Sequence, residues 1–426
     1  MPIAIALTLL VAAVAAPLAT GWDVHARDDS RVPLPPWHGW WDPHLGPGTV
    51  PVVVLAVAAL IWSASVATRL PWRRLLGVVY VVSLAWLLSL ALVDGVEGLS
   101  RVLGNPHEYL RTARDVGSVG TVLSTYTDRI PMDAEQHWPT HVAGHPPGML
   151  LFFVALVRVG LGSDLAAALV VTAIAASIAP AVMVVLRRLG AEDLARQASP
   201  FLAITPAAVY LAVSADAVMA AVGAWAMVLL AHATTSPPRR SVAFAAAAGI
   251  GFGVLVLMSY GLILFALVAL GLVVACRGWR VIAPCGAVAA LVVLAPGCAG
   301  FWWPEAIGVL HTRYWEGIAS QRPGWYWTWA NLAVLAATAG PVVALGLARI
   351  RSLPRSIVGI VMGAVAAVAV ADLSQMSRAE VERIWLPFVP WLTVALAALP
   401  PRWQRPALAG QIAVALALQH LMYTTW

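Results

Sequence analysis

The chain has 426 residues, 61% hydrophobic and 11% charged, with a mean hydropathy of +0.83. That balance excludes a soluble domain, because apolar runs of about 20 residues, the length a bilayer-crossing helix needs, recur throughout. The net charge of +6 comes from 26 basic residues, all arginine, scattered over short turns; this excludes a contiguous nucleic-acid-binding stripe. The arginine bias, with abundant Ala, Gly and Pro, reads as the base composition of a GC-rich bacterial genome.

In chain order, residues 1–20 end in small residues, as a signal sequence does, but lack a basic start, and read as a retained first span. Further apolar runs lie near 50–68, 75–93, 148–162, 165–186, 199–213, 216–233, 241–258, 261–275, 281–300, 326–347, 357–371, 385–399 and 407–423. They predict an all-α polytopic bundle of about 13–14 spans, with short amphipathic surface helices in the outer loops. Three modules follow, 1–74, 75–235 and 236–426. Basic turns at 69–74, 187–196, 237–240, 276–280, 348–355 and 400–405 mark the cytoplasmic side under the positive-inside rule. Loops 21–49, 94–146, 301–325 and 372–384 then face outward. With Asp216 they hold 17 of the 20 acidic residues, so any chemistry belongs to the outer face. Between 147 and 187 the charge rule demands an odd number of crossings, yet two apolar runs lie there. Either 148–162, short for a span, only dips into the outer leaflet, or the 187–196 turn breaks the rule. Cys276, Cys285 and Cys298 have neither disulfide-framework nor zinc spacing.

Asp94 closes a hydrophobic run where membrane meets water, and Glu97 follows about one turn later. Asp94 reads either as a helix end reaching solvent or as a partly desolvated carboxylate fit to be a general base or metal ligand. "NPHEYLRTARDVG" begins as a capped helix, with Asn105 as N-cap, Pro106 at the first helical position and Glu108 closing a capping box. Three histidines, His137, His141 and His145, recur every four residues and suggest a zinc-binding face. Pro139, Gly144, Pro146 and Pro147 break such a helix, which argues against zinc. The Pro146–Pro147 pair instead launches the next apolar helix and leaves His145 at the positive end of its dipole, either as an interfacial helix cap or where an anion such as phosphate is welcome. Residues 301–327 carry His311, Arg313 and Glu316 opposite an apolar stripe, with tryptophans that serve as an interfacial belt or as sugar-stacking platforms. Residues 371–388 put Asp372, Arg378, Glu380, Glu382 and Arg383 just before a span. There Arg383 reads either as a phosphate fork or as the partner of Glu380. Asp216, alone in a short turn between apolar runs, is a further interfacial carboxylate.

Asp94 after a span, a long outer loop with a surface helix, "HPPG" opening the next helix and the later Asp216 together resemble the GT-C superfamily of membrane glycosyltransferases. The likeness is to the branch with protein mannosyltransferases, aminoarabinose transferases and actinobacterial arabinofuranosyl or mannosyl transferases. It covers roughly residues 75–235. No paired acid follows Asp94, and two extra spans precede it. The resemblance implies a plasma-membrane enzyme with an outward active site. Its donor would be a polyprenyl-phosphate-linked sugar, and its acceptor an envelope glycan, lipid or protein. Asp94 would be the general base of an inverting transfer, and His145, Arg383 and Arg313 would hold the phosphate. Asp216, Glu97, His141 and Glu380 would bind substrate or a divalent cation, Mg or Mn. The rival readings are a secondary transporter or lipid flippase for an envelope precursor, and a noncatalytic assembly partner.

Overall fold

The computed structural model describes residues 2–26 and 34–424; residues 27–33, part of the first outer loop, lie outside them. Eight helices among the described residues are long and apolar enough to cross a membrane, as in a multi-pass membrane protein. They are Pro2–Thr20, Thr49–Arg69, Trp72–Asp94, Asp164–Arg188, Ala215–Thr235, Pro238–Met258, Trp279–Ala299 and Arg355–Leu373. Two three-residue strands, Gly39–Trp41 and Met422–Thr424, pair antiparallel with Trp40 opposite Tyr423.

Eight is fewer than the spans expected, because most of the other apolar runs fold as shorter or broken helices, and the run at 407–423 lies in the 21-residue helix Pro401–Leu421, which is long enough but not among the sufficiently apolar ones. Glu192–Ala203 carries Pro200 and gives way to the single turn Ala208–Leu211, and Gly324–Ala339 stops at Gly340, whose φ of +86° suits glycine. In hydrocarbon the carbonyls freed at a break must find a donor inside the protein. Trp86 Nε1 donates to Thr205 O at 3.1 Å, Gln411 Nε2 to Ala339 O at 2.8 Å, and the Thr172 hydroxyl to Ala212 O.

Where helices approach closely, glycine makes room. A Cβ on Gly271 would stand 2.0 Å from the Gly359 carbonyl oxygen, and one on Gly363 2.4 Å from that of Leu267. Gly359 and Gly363 form a GxxxG stripe, which lets backbones pack without a hydrophobic driving force between lipid-solvated helices.

The polar residues sort to two ends. At one, Arg196 bonds the carbonyls of Ala67 and Leu70, Arg188 reaches Thr235 and Ser236, Arg280 meets Ser236 and Arg349 meets Ala398, so the predicted basic turns adjoin one another. At the other, the predicted outer loops meet through His44–Asp94, Glu108–Arg383, Arg313–Ile130 and Arg322–His25. This arrangement resolves the parity problem around residue 160. Helix Pro147–Arg158 begins beside His145, and the turn after it returns to the same end, where Arg114 bonds Gly162 O at 2.9 Å and pairs with Asp164. It dips and does not cross, so Asp164–Arg188 begins at the polar end and ends at the basic one. Pro180 interrupts that pass after Ala176, since its ring clashes with the carbonyl four residues back.

Candidate functional site

The polar end holds two groups of ionisable side chains. The first centres on Arg383, whose side chain is 5% exposed, on the single helical turn Val381–Ile384. Its Nη1 donates to Glu108 Oε1 at 3.1 Å, its Nε faces Asp216 Oδ2 at 3.4 Å, and its Nη2 lies 3.2 Å from His141 Nε2 and 3.9 Å from Glu380 Oε2. Burial by itself would lower the guanidinium pKa, but Asp216, Glu108 and Glu380 together outweigh it and raise the pKa. Because Arg383 can only donate, His141 Nε2 accepts, and His141 Nδ1–H donates a hydrogen bond to Glu108 Oε1 at 2.7 Å. Burial would raise the Glu108 carboxyl, yet electrostatic attraction to His141, the hydrogen bond from its ring N–H and the Arg383 charge hold it down at about 2.

Local chain geometry sets this cluster. Ala379 and Glu380 take successive φ values of +71° and +62°, unusual for residues with a Cβ, at roughly 1–3 kcal/mol each. The strain turns Glu380 toward both Arg322, at 3.3 Å, and Arg383. Arg322 also bonds His25 O and Arg378 O, which ties three loops together. Asp216 lies in the first turn of Ala215–Thr235, whose N-cap Ser214 accepts from Ala217 N. Pro146 and Pro147 open the short helix as the sequence predicts. The neighbouring His145 donates from Nδ1 to His141 O at 2.9 Å, and burial followed by the Arg383 charge lowers it to about 4.

Asp94 belongs to the second group. Its Oδ1 accepts from His44 Nε2 at 2.7 Å and Gln419 Nε2 at 3.3 Å, and its Oδ2 from Arg101 at 3.2 Å. His44 Nδ1 donates to Asp42 O at 2.7 Å, so both ring nitrogens carry protons. Burial alone would lower the His44 pKa; the Asp42 carbonyl and the Asp94 carboxylate outweigh it and raise it. Arg101 also lies 4.3 Å over the Tyr423 ring and bonds Thr424 O, next to the paired strands. Asp94 therefore anchors the C-terminal strand, with no contact to Arg383 or His145.

Other predicted residues sit apart. Arg313 spends its guanidinium on the carbonyls of Ile130 and Trp138, where it clamps the long loop. Glu97 is exposed at the start of Glu97–Gly104. The expected capping box does not form: Asn105 Oδ1 accepts from His107 N at 2.9 Å, the helix starts at Tyr109, and Glu108 turns inward to Arg383. The three histidines do not share a helix, since Thr140–Ala143 is one turn long and His137 is exposed. Sequence reasoning gave Glu108 a local role only and overlooked Arg322, His44 and Gln419; the hint available for Glu108 was a carboxylate directly after a histidine, His107, in a long loop.

Arg383 stands among Glu108, Asp216 and Glu380, where a divalent cation would otherwise neutralise them, and among the described residues no three His, Cys, Asp or Glu side chains converge as metal ligands. The counter-charge of these carboxylates is the Arg383 guanidinium.

An apolar groove of about 410 Å³ lies between Pro238–Met258, Phe265–Ala275 and Ile282–Leu294. It runs from Val281 at the basic end to Trp303 at the polar end, and its wall residues Ile263, Leu270 and Leu294 are 41–50% exposed on the bundle surface. Near its polar end Tyr260, 5.5 Å from Trp303, is buried with its hydroxyl unbonded. Tyr126, within electrostatic reach of Tyr260, donates its hydroxyl to His145 O at 3.0 Å, and wall residue Phe265 lies 6.0 Å from Phe388, five positions after Arg383. No family model matches the chain, and no curated protein matches it in sequence.

Proposed function

We propose that the protein is a membrane glycosyltransferase, similar to the GT-C superfamily, that moves a sugar from a polyprenyl-phosphate donor to an envelope glycan, lipid or protein acceptor on the outer face. One observation carries this reading: a surface-exposed apolar groove has its wall residue Phe265 stacked on Phe388, five positions after Arg383, the buried guanidinium that meets Glu108, Asp216 and His141. The prenyl chain occupies the groove, the Tyr260 hydroxyl meets the phosphate as it enters, and Arg383 faces the charge that develops when the sugar–phosphate bond breaks, whereas His145 has its ring N–H spent on His141 O. Preorganised donors in a dry site contribute most at that point. The acceptor hydroxyl attacks the anomeric carbon, the leaving electron pair goes to the phosphate oxygen, and a carboxylate takes the hydroxyl proton, with inversion.

Asp94, the carboxylate first expected in that role, is engaged by three donors in the second group. Glu108 is a weak base, held at about 2. Asp216, whose charged partner is Arg383 Nε at 3.4 Å, takes the role of base. The test is transfer from a panel of polyprenyl-phosphate sugars by purified protein in vesicles. Asp216→Asn should lower turnover by about 10²–10⁴-fold, the usual cost of losing a general base. Asp94→Asn should retain most of it. Loss confined to Asp94→Asn would return the base to Asp94, and full activity in both variants would refute a carboxylate base here.

The passes broken at 204–207 and 340–342 favour a second reading, a flippase, because transporters build their sites from interrupted helices. Movement of a labelled prenyl phosphate between leaflets with no acceptor present, and no transfer when one is added, would select it.

A further inference from the structure

We infer that the basic end of the bundle carries a site for an anionic glycerophospholipid, between Thr49–Arg69, Glu192–Ala203 and Pro401–Leu421. A cavity of about 460 Å³ opens there. Its deep wall is apolar, from Leu60, Phe201 and Leu408, whereas its mouth carries Arg196, Gln197 and Arg405. Such a split suits a molecule with a charged head and hydrocarbon chains, and neither a soluble ion nor a plain alkane satisfies both parts.

The arginines differ in their commitments. Arg196 is spent holding helices together: it bonds Glu192 at 2.7 Å and the carbonyls of Ala67 and Leu70 at 2.7 and 3.0 Å. Arg405 is exposed and makes no hydrogen bond or ion pair among the described residues, and the same holds for Arg69, Arg73, Arg74 and Arg402 nearby. Glu192 is consumed by Arg187 and Arg196, which leaves Asp193 as the acid at the mouth. The excess of uncommitted cations beside an apolar cleft calls for a phosphate attached to lipid. A second apolar cavity, about 200 Å³, shares Ser63, Ala67 and Pro200 with the first and gives room for a second acyl chain. Ile61 and Trp62, 54% and 58% exposed, face outward on the same helix, so the site opens sideways into the bilayer.

The purified full chain, in detergent with phosphatidylglycerol or phosphatidylcholine of identical chains, tests this by native mass spectrometry. Phosphatidylglycerol should be retained preferentially, and Arg405→Gln should weaken its retention about fivefold, the contribution of one arginine at a charged lipid surface. Ile61→Trp, which narrows the apolar wall, should weaken both lipids. Arg240→Gln, at an exposed basic turn outside the cavity, should change neither, and excess inorganic phosphate should not displace the bound lipid. Equal retention of the two lipids, equal losses in Arg405→Gln and Arg240→Gln, or displacement by inorganic phosphate would each overturn the proposal.

Discussion

Replacing Arg383 by Met tests whether the cluster at the polar end is held by one buried charge. The guanidinium stands among three carboxylates whose side chains are 3%, 8% and 21% exposed, at 3.1, 3.4 and 3.9 Å. Methionine fills much of the volume but leaves Glu108 and Asp216 facing each other without a counter-charge. Removing one partner of a buried ion pair costs about 3–5 kcal/mol, most of it the penalty of the charge left behind. Reversible unfolding in mixed detergent micelles, monitored by tryptophan fluorescence, reads that loss. Glu108→Gln added to Arg383→Met removes one stranded charge and should recover roughly 1–3 kcal/mol as coupling between the two sites. Arg383→Lys keeps the charge but loses the fork, which here reaches Glu108, Asp216 and His141 at once, and should fall between wild type and Arg383→Met. A loss below about 1 kcal/mol in Arg383→Met, or strictly additive effects in the pair, would refute the ion cluster as the organising element of this end.

The two interfacial histidines should give opposite pH slopes. His145, lowered to about 4, stays neutral in the fold while the unfolded chain takes up a proton below about 6.5; its stabilisation is present above that pH and lost as pH falls toward 4, and His145→Gln should remove this acid slope. His44, raised above its ordinary 6.5, contributes stability that is complete below that value and lost as pH rises through the folded pKa, so His44→Gln should flatten the alkaline side. Arg313→Gln removes donors from Ile130 O and Trp138 O and should speed protease cleavage of loop 94–146 severalfold without altering helix content by circular dichroism; unchanged cleavage would deny it the clamping role. Gly271→Val drives a side chain into the Gly359 carbonyl and should destabilise by about 1–3 kcal/mol, read as a lower thermal midpoint in detergent.

Much of the fold was open to reading because a bilayer imposes a strict rule on local sequence. Runs of about 20 apolar residues, separated by arginine turns, define passes and their alternation. The turns at 69–74, 187–196 and 400–405 do meet at one end. The passes around Pro200 and Gly340 were harder, since hydropathy measures solvent preference and not backbone continuity. Whether residues 147–162 crossed was undecidable until the Arg114–Asp164 and Arg114–Gly162 contacts placed both of its ends together.

The site divides along the same line. Composition and local pattern alone determined that the chain is a helical membrane bundle, that its acids and histidines crowd into a few loops, and that Pro146–Pro147 starts a helix beside His145, because each depends on neighbours within a turn or a span. Tertiary structure alone decided which charges meet. Glu108 and Arg383 are 275 positions apart, and Asp94 and Gln419 are 325 apart. No local period encodes such pairings; they arise because burying a charge is tolerable only where an opposite one is delivered by a distant segment, and that delivery is a property of the packed bundle.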